Sequence, residues 1–327
     1  MAAMMPPDID DIVDAARLIR GLATVTPLLR SDALDERLGA SVWIKPECLQ
    51  RTGSFKFRGA WVNIARLPAE QRKRGVVAYS SGNHAQAVAA AAHFQGIAAT
   101  IAMPEDAPAI KRARTEAWGA VVVPYNRYKV DRIAVAAELA ADLERPLVPP
   151  YDHPDTIAGQ GTIGLEIASQ CRQQGIVPDA VIAPCGGGGL IAGLSTALAT
   201  AMPGVPVHPS EPLASDDTKR SLESGERVSL EGPVRSICDS LLAHTPGELT
   251  FAINRRTLSP GYAISDDDAL YAMKIAFEDM KLVLEPGGAA ALAALTSGIM
   301  PSAGRTIIVV ASGGNVDAKT FARALDN

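Results

Sequence analysis

Short runs of consecutive apolar residues alternate with longer Ala-rich stretches along most of this chain. Val76-Val77-Ala78-Tyr79 precedes the helical pattern of residues 85–94, residues 99–102 precede 109–118, and Val121-Val122-Val123 precedes 133–143. The pattern returns at Ala180-Val181-Ile182-Ala183 and at residues 307–311. Strands that read as unbroken apolar runs are buried on both faces, and helical stretches between them supply the crossovers of parallel sheets. Pro149-Pro150 and the turn-rich Tyr151-Asp152-His153-Pro154-Asp155 interrupt the alternation and mark a crossing between two such units. The expected fold is α/β, with two open, twisted parallel-sheet domains. Residues 67–151 form the smaller one, and 1–66 together with 152–327 the larger. Ligands of such folds sit in the cleft at the carboxyl ends of the strands.

Four glycines, Gly186, Gly187, Gly188 and Gly189, follow the strand 180–183 and precede the small-residue stretch that starts at Leu190. Without Cβ atoms, successive N–H groups can turn inward as a nest, and the following helix adds the positive end of its dipole. That combination holds an anion, and a phosphate suits it best. No GK[ST] follows, and no acidic residue ends the next strand, so neither a P-loop nor a dinucleotide fingerprint fits. A flexible linker would also be glycine-rich, but it would not be flanked by an apolar strand and a helix. Three more loops share this strand-to-helix placement: Ser80-Ser81-Gly82-Asn83-His84, Glu285-Pro286-Gly287-Gly288 and Ser312-Gly313-Gly314-Asn315. Each alone could be only a helix cap. Together they converge on one bound small molecule. Lys56, in Thr52-Gly53-Ser54-Phe55-Lys56-Phe57-Arg58-Gly59-Ala60, has apolar neighbours whose burial would lower an amine's pKa and make it a usable nucleophile.

The totals narrow the class. Of 327 residues, 47% are hydrophobic and 20% charged, which describes a globular rather than a disordered chain. A net charge of −5 gives no electrostatic reason to expect nucleic acid as a partner. No apolar run reaches the roughly 18 residues of a membrane span. The start lacks a basic region followed by an apolar core, so no signal peptide and a cytoplasmic setting are expected. Cys48, Cys171, Cys185 and Cys238 show no CxxC spacing, hence no zinc site or disulfide framework.

In this order, the segments 54–60, Ser80-Ser81-Gly82-Asn83-His84-Ala85-Gln86, Ala158-Gly159-Gln160-Gly161-Thr162, the tetraglycine loop and Ser312-Gly313-Gly314-Asn315 resemble the serine/threonine dehydratase and serine racemase family. Its members are pyridoxal-phosphate enzymes of the tryptophan-synthase-β fold type, that is, fold type II, with the cofactor in the cleft between the domains. The likeness runs from Thr26-Pro27-Leu28 onward. It implies that Lys56 carries pyridoxal 5'-phosphate as a Schiff base and later takes the substrate Cα proton. The glycines 186–189 would bind the phosphate, Asn83 the phenolic oxygen and Ser312 the pyridine nitrogen, with Phe55 against the ring. A serine at that nitrogen weakens the ring as an electron sink and favours β-elimination. Ser80, Ser81, Asn83 and His84 would clamp the substrate carboxylate. Ser81 would also be the second acid/base were the chain a racemase. Glu211, Ser215 and Asp217 resemble the family's cation loop, suited to Mg²⁺ or Mn²⁺; a solvated acidic turn is the alternative.

The implied reaction is loss of water from a β-hydroxy amino acid, of the L-threonine/L-serine or the 3-hydroxyaspartate type. The β-hydroxyl leaves with help from the cofactor phosphate, giving a 2-oxo acid and ammonia. A serine or aspartate racemase is the nearest rival, and a non-catalytic ligand-binding relative the rival from another class. The resemblance also implies a homodimer without a C-terminal regulatory domain. Two departures bear on substrate choice. Cys238-Asp239-Ser240-Leu241 stands where Ala-Asp-Gly-Leu is usual, and Gly287 where Ser or Thr is usual. They read as one wall narrowed and the opposite wall loosened. Arg235 and His244 are further candidates for reading a substrate side chain, although a surface position suits both better.

Overall fold

Apolar strand runs and helical crossovers do assemble into parallel sheets. The structure is a computed structural model and describes residues 4–326. Nine strands occur among the described residues: β1 (Leu29–Arg30), β2 (Ser41–Pro46), β3 (Val76–Tyr79), β4 (Ala99–Pro104), β5 (Val121–Tyr125), β6 (Ala180–Pro184), β7 (Val207–Pro212), β8 (Tyr262–Ile264) and β9 (Thr306–Ala311). They form a six-stranded sheet, β1-β2-β9-β6-β7-β8, and a three-stranded sheet, β3-β4-β5. Every pairing is parallel except β1 with β2. The unbroken apolar character of β3, β4 and β6 matches their burial on both faces, whereas Val121 of β5 is 61% exposed. β5 pairs only with β4, so as an edge strand it keeps water on one side.

The chain leaves the smaller sheet after Leu147, which bridges to Val77, and Pro149-Pro150 carries it toward the larger one. The turn signal that follows is shorter than it reads. A helix begins at Pro154, a residue whose missing N–H and fixed φ suit a first turn, and the His153 side chain caps it.

That helix, Pro154–Gln174, contains Gly159, Gly161 and Gly164, each of which weakens an isolated helix by up to about 1 kcal/mol relative to Ala. Packing explains them. A Cβ on Gly159 would lie 2.6 Å from the Gly59 Cα of the Lys56–Ala65 helix, and one on Gly161 would lie 2.9 Å from the Gly193 carbonyl of the Gly189–Ala201 helix. The helices that follow the lysine segment and the tetraglycine loop therefore lie against one central helix at backbone-to-backbone distance.

A buried ion network pins the same region. The Arg58 guanidinium donates to Glu47 at 2.8 Å and to Glu166 at 2.6 Å, and Lys45 donates to Glu166 at 2.7 Å. Arg58, Lys45 and Glu47 are each 0% exposed. Burial, the largest single influence, would raise the Glu47 pKa, but the charge and hydrogen bond of Arg58 together with Lys45 and the Thr26 hydroxyl outweigh it and hold the pKa below its ordinary value. Removing one partner would leave a buried charge uncompensated. Glu47→Ala should destabilise the fold by about 3–5 kcal/mol, seen as a lower denaturant midpoint; an unchanged midpoint would show that Glu166 alone can hold Arg58.

Candidate active site

Four loops meet where the carboxyl ends of the two sheets face each other. The lysine segment is zipped to the loop after β9. Phe55 N–H donates to the Ser312 carbonyl at 3.1 Å, Gly314 N–H to the Gly53 carbonyl at 2.9 Å, and the Asn315 amide to the Thr52 carbonyl at 2.7 Å. Gly53 has φ of +73° and packs directly on the Asn315 side chain, so the turn accepts only glycine without strain. Lys56 then opens its helix. Its ammonium donates to the Pro150 carbonyl at 2.6 Å and lies 5.1 Å from the Phe55 ring centroid. Burial lowers its pKa to about 8, so an appreciable share of the amine is neutral near physiological pH.

The tetraglycine loop joins β6 to the Gly189–Ala201 helix. Among the described residues, the N–H groups of Gly186, Gly187, Gly188 and Gly189 have no hydrogen-bond acceptor. Four consecutive orphan donors at a helix start form a cradle for an anion. The loop is braced from behind. Thr250 Oγ1 donates to the Gly187 carbonyl at 2.8 Å, and Gly188 has φ of +90° against Thr250 and Asn254. Asp152 in turn accepts the N–H groups of Leu249 and Thr250, each at 3.0 Å. Tyr151 packs against Gly187 and Gly189 at van der Waals distance only because neither carries a side chain.

Ser80-Ser81-Gly82 leads into the Asn83–Phe94 helix. The N–H groups of Ser81, Asn83 and His84 likewise have no acceptor among the described residues. The Asn83 side chain is braced at both ends: its amide donates to Glu285, and its carbonyl accepts from Asn315 at 2.8 Å. The His84 ring is bonded to the Val148 carbonyl at 2.9 Å. Burial and the Lys56 charge push its pKa down to about 3. His84 is therefore a neutral ring near neutral pH, and its free group toward an anion is its backbone N–H. The Ser312 hydroxyl has no hydrogen-bond partner among the described residues.

Three residues here were not singled out by sequence reasoning. Lys111 donates to Asp239 at 2.8 Å, joining the helix after β4 to the segment before Ser240. Burial works against its charge, but Asp239 and Glu285 hold its pKa above the usual value. Glu285, 1% exposed beneath Asn83, is pushed up to about 7 by burial despite the pull of Lys111. The Arg114 guanidinium donates to Asn315 at 3.1 Å. Lys111 and Arg114 belong to no local motif, and Glu285, although it opens one of the loops picked out in the sequence, gains its role only from Asn83, 202 positions away.

Contrary to the sequence expectation, an acidic residue does stand at the end of the strand after the glycine loop: Glu211, next to last in β7, accepts the N–H groups of Thr218 at 3.1 Å and Lys219 at 2.7 Å. Asp217 lies beside it, with Ser215 Oγ 3.5 Å from its Oδ1 and its Oδ2 without a partner. Burial raises both carboxyls, Asp217 to about 7 and Glu211 well above the ordinary range, and Asp217 adds to the Glu211 shift. Among the described residues no cluster of three or more His, Cys, Asp or Glu converges here or elsewhere. An ion at this loop would thus rely on two carboxylates, a backbone carbonyl and water.

The profile of the pyridoxal-phosphate dependent enzymes matches residues 19–313. The chain belongs to this family. It is 41% identical to an L-threo-3-hydroxyaspartate ammonia-lyase of Saccharomyces cerevisiae, over 98% of this chain and 96% of that one. It is 37% identical to a serine racemase of Schizosaccharomyces pombe, over 98% and 97%. The structure superposes on the crystal structure of a T.th. threonine deaminase with a TM-score of 0.88 at 42% identity, covering 95% of this chain and 99% of that one. Membership fits the site's chemistry. A pyridoxal phosphate needs a phosphate cradle, an amine for its aldehyde and a weak partner for its ring nitrogen. The orphan glycine N–H groups, Lys56 and the uncommitted Ser312 hydroxyl are of those kinds.

The two departures noted in the sequence turn out to lie on the same wall. Ser240 Oγ sits over the Gly287 Cα, in the space that a Cβ at 287 would occupy. The wall is not narrowed on one side and widened on the other. Arg235 and His244 are both exposed.

Only the neutral amine of Lys56 can attack the cofactor aldehyde. Uptake of pyridoxal phosphate by cofactor-free protein should therefore accelerate as pH rises, reach half its limiting rate near pH 8 and level off about one unit above it, followed by growth of visible absorbance. An ordinary lysine, near 10.4, would keep accelerating well beyond that point.

Proposed function

We propose that the protein removes water from a β-hydroxy amino acid, with L-threo-3-hydroxyaspartate as the substrate, and releases a 2-oxo acid and ammonia. What supports this reading is a buried amine poised between its charged and neutral forms and bonded to the Pro150 carbonyl, with the next residue, Tyr151, packed on a loop of four glycine N–H groups that have no acceptor among the described residues. Similarity to an L-threo-3-hydroxyaspartate ammonia-lyase supports the substrate.

When bound, pyridoxal phosphate supplies the electron sink that makes the substrate Cα–H bond acidic. The rest falls to side chains and backbone. The glycine N–H groups 186–189 hold the phosphate with donors that stay neutral. The N–H groups of Ser81, Asn83 and His84 hold the substrate α-carboxylate at a helix start, which fixes the Cα–H bond in direction. Lys56 Nζ takes the Cα proton, and its lowered pKa suits a general base near neutral pH. Ser312 offers a hydroxyl rather than a carboxylate to the ring nitrogen, so it does not hold a proton there. Asn83, fixed between Glu285 and Asn315, presents its remaining N–H to the phenolic oxygen. Phe55 packs beside Lys56. Glu211, Asp217 and the Ser215 carbonyl would hold a divalent cation, Mg²⁺ or Mn²⁺, as a brace for the loop that follows β7.

A second reading, amino acid racemisation as a side activity, rests on the Ser81 hydroxyl. It is half-buried in the substrate loop and makes no hydrogen bond among the described residues, which leaves it free to exchange a proton with Cα.

Purified enzyme given L-threo-3-hydroxyaspartate should form oxaloacetate and ammonia in equal amounts, faster than it forms 2-oxobutanoate from L-threonine. Lys56→Ala should lower kcat by about 10²–10⁴-fold, and Ser81→Ala should remove any interconversion of D- and L-serine while deamination persists. Turnover of threonine or serine alone would overturn the choice of substrate. Added Mg²⁺ should raise the melting temperature of wild type but not of Asp217→Asn; an equal rise in both would remove the cation from this loop.

A further inference from the structure

The contact between Ser240 and Gly287 has a functional side that neither residue has alone. Gly287 lies in the first turn of the Pro286–Thr296 helix, two residues after Glu285, whose carboxylate accepts from Asn83 of the substrate loop. Ser240 follows Asp239, which is paired with Lys111 at 2.8 Å, and the Lys111 ammonium lies 3.4 Å from where a Cβ on Gly82 would be. Leu241, next along, has its Cα 3.0 Å from a Cβ position on Gly186 of the phosphate cradle. The pair therefore sits between the loop assigned to the substrate carboxylate and the loop assigned to the cofactor phosphate. A substituent on the substrate β-carbon directed to this wall would meet both residues.

Within this wall the Ser240 hydroxyl is uncommitted: it makes no hydrogen bond among the described residues, and the residue is exposed. Its position exists because residue 287 has no Cβ. A methyl group there would overlap Oγ, whereas the next neighbour, Leu241 Cγ, would be 3.2 Å away. The conflict thus falls on one rotatable hydroxyl and can be relieved by turning it away. A small side chain at 287 therefore displaces the hydroxyl, at the cost of turning it out of its rotamer against the neighbouring Leu241, while the backbone of the wall stays in place.

We propose that Ser240 and Gly287 form a single specificity element, in which the glycine leaves the volume that the Ser240 hydroxyl fills and that hydroxyl donates to the polar β-substituent of the substrate. For 3-hydroxyaspartate the acceptor is the β-carboxylate, a group threonine replaces with methyl. The choice of acceptor rests on the functional reading above; the coupling of the two positions does not.

The test compares wild type with Ser240→Ala, Gly287→Ala, the double variant Ser240→Ala/Gly287→Ala and the exchange Ser240→Gly/Gly287→Ser. Both single variants should lower the kcat/KM ratio of 3-hydroxyaspartate over threonine by about tenfold, mostly through KM, as expected when a donor to a charged group is lost. The double variant should lose no more than either single one, because both remove the same hydroxyl. The exchange should recover part of the ratio by presenting a hydroxyl from the other backbone. Additive losses, or equal losses on both substrates, would overturn the proposal. A readout free of turnover accompanies these. In cofactor-free protein Gly287→Ser should lower the melting temperature, and adding Ser240→Gly should restore it; no recovery would show that the two side chains do not share one space. Should wild type not deaminate 3-hydroxyaspartate, the functional reading falls by itself. The same five proteins are then ranked on the β-hydroxy amino acid that wild type prefers over serine, where non-additive losses support the pair and additive ones overturn it.

Discussion

Backbone-to-backbone contact between three helices sets every distance in this site. The central helix, Pro154–Gln174, touches the lysine helix through Gly159 and Gly59 and the phosphate helix through Gly161 and Gly193. A methyl group at any of these positions would push two helices apart and move Lys56 relative to the glycine cradle. Catalysis that depends on reactive groups held within a fraction of an ångström cannot absorb such a shift. The glycines cost the central helix intrinsic stability, which its burial between neighbours offsets. The charge network of Arg58, Glu47, Glu166 and Lys45 lies alongside and fixes rotation where the glycines fix separation.

How much of this could be read beforehand depended on how local each signal was. The tetraglycine run announces its role because four absent side chains in a row have few other uses after a buried strand. Lys56 has no such local mark; its meaning came from the order of five motifs along the chain. The central helix was not legible as a helix, since Gly-Gln-Gly is a poor helical sequence and only the neighbouring backbones explain it. Pairings such as Lys111 with Asp239, 128 residues apart, leave no trace in either neighbourhood. Ser240 and Gly287 were visible as departures, but they suggested opposite walls. Only their contact shows one space occupied from the other side.

Charge is handled in this site by placing neutral donors where anions go and reserving ionisable groups for proton work. The positions proposed for the phosphate and the α-carboxylate would be lined by backbone N–H groups, which do not titrate. His84 is kept neutral, Glu285 sits near its midpoint, and Lys56 is depressed by burial alone. A site so arranged keeps its anion affinity constant across the pH range over which its base changes state.

The orphan donors of the cradle also bear on the life of the protein before it has any cofactor. A phosphate that bound to these N–H groups in the folded chain alone would stabilise the folded state by mass action. A ligand present at a hundred times its dissociation constant adds about 2.7 kcal/mol to the folding free energy. Where pyridoxal phosphate runs short, newly made chains therefore spend more time open and reach proteases more often. The stability of the folded chain would then follow the amount of cofactor available to it.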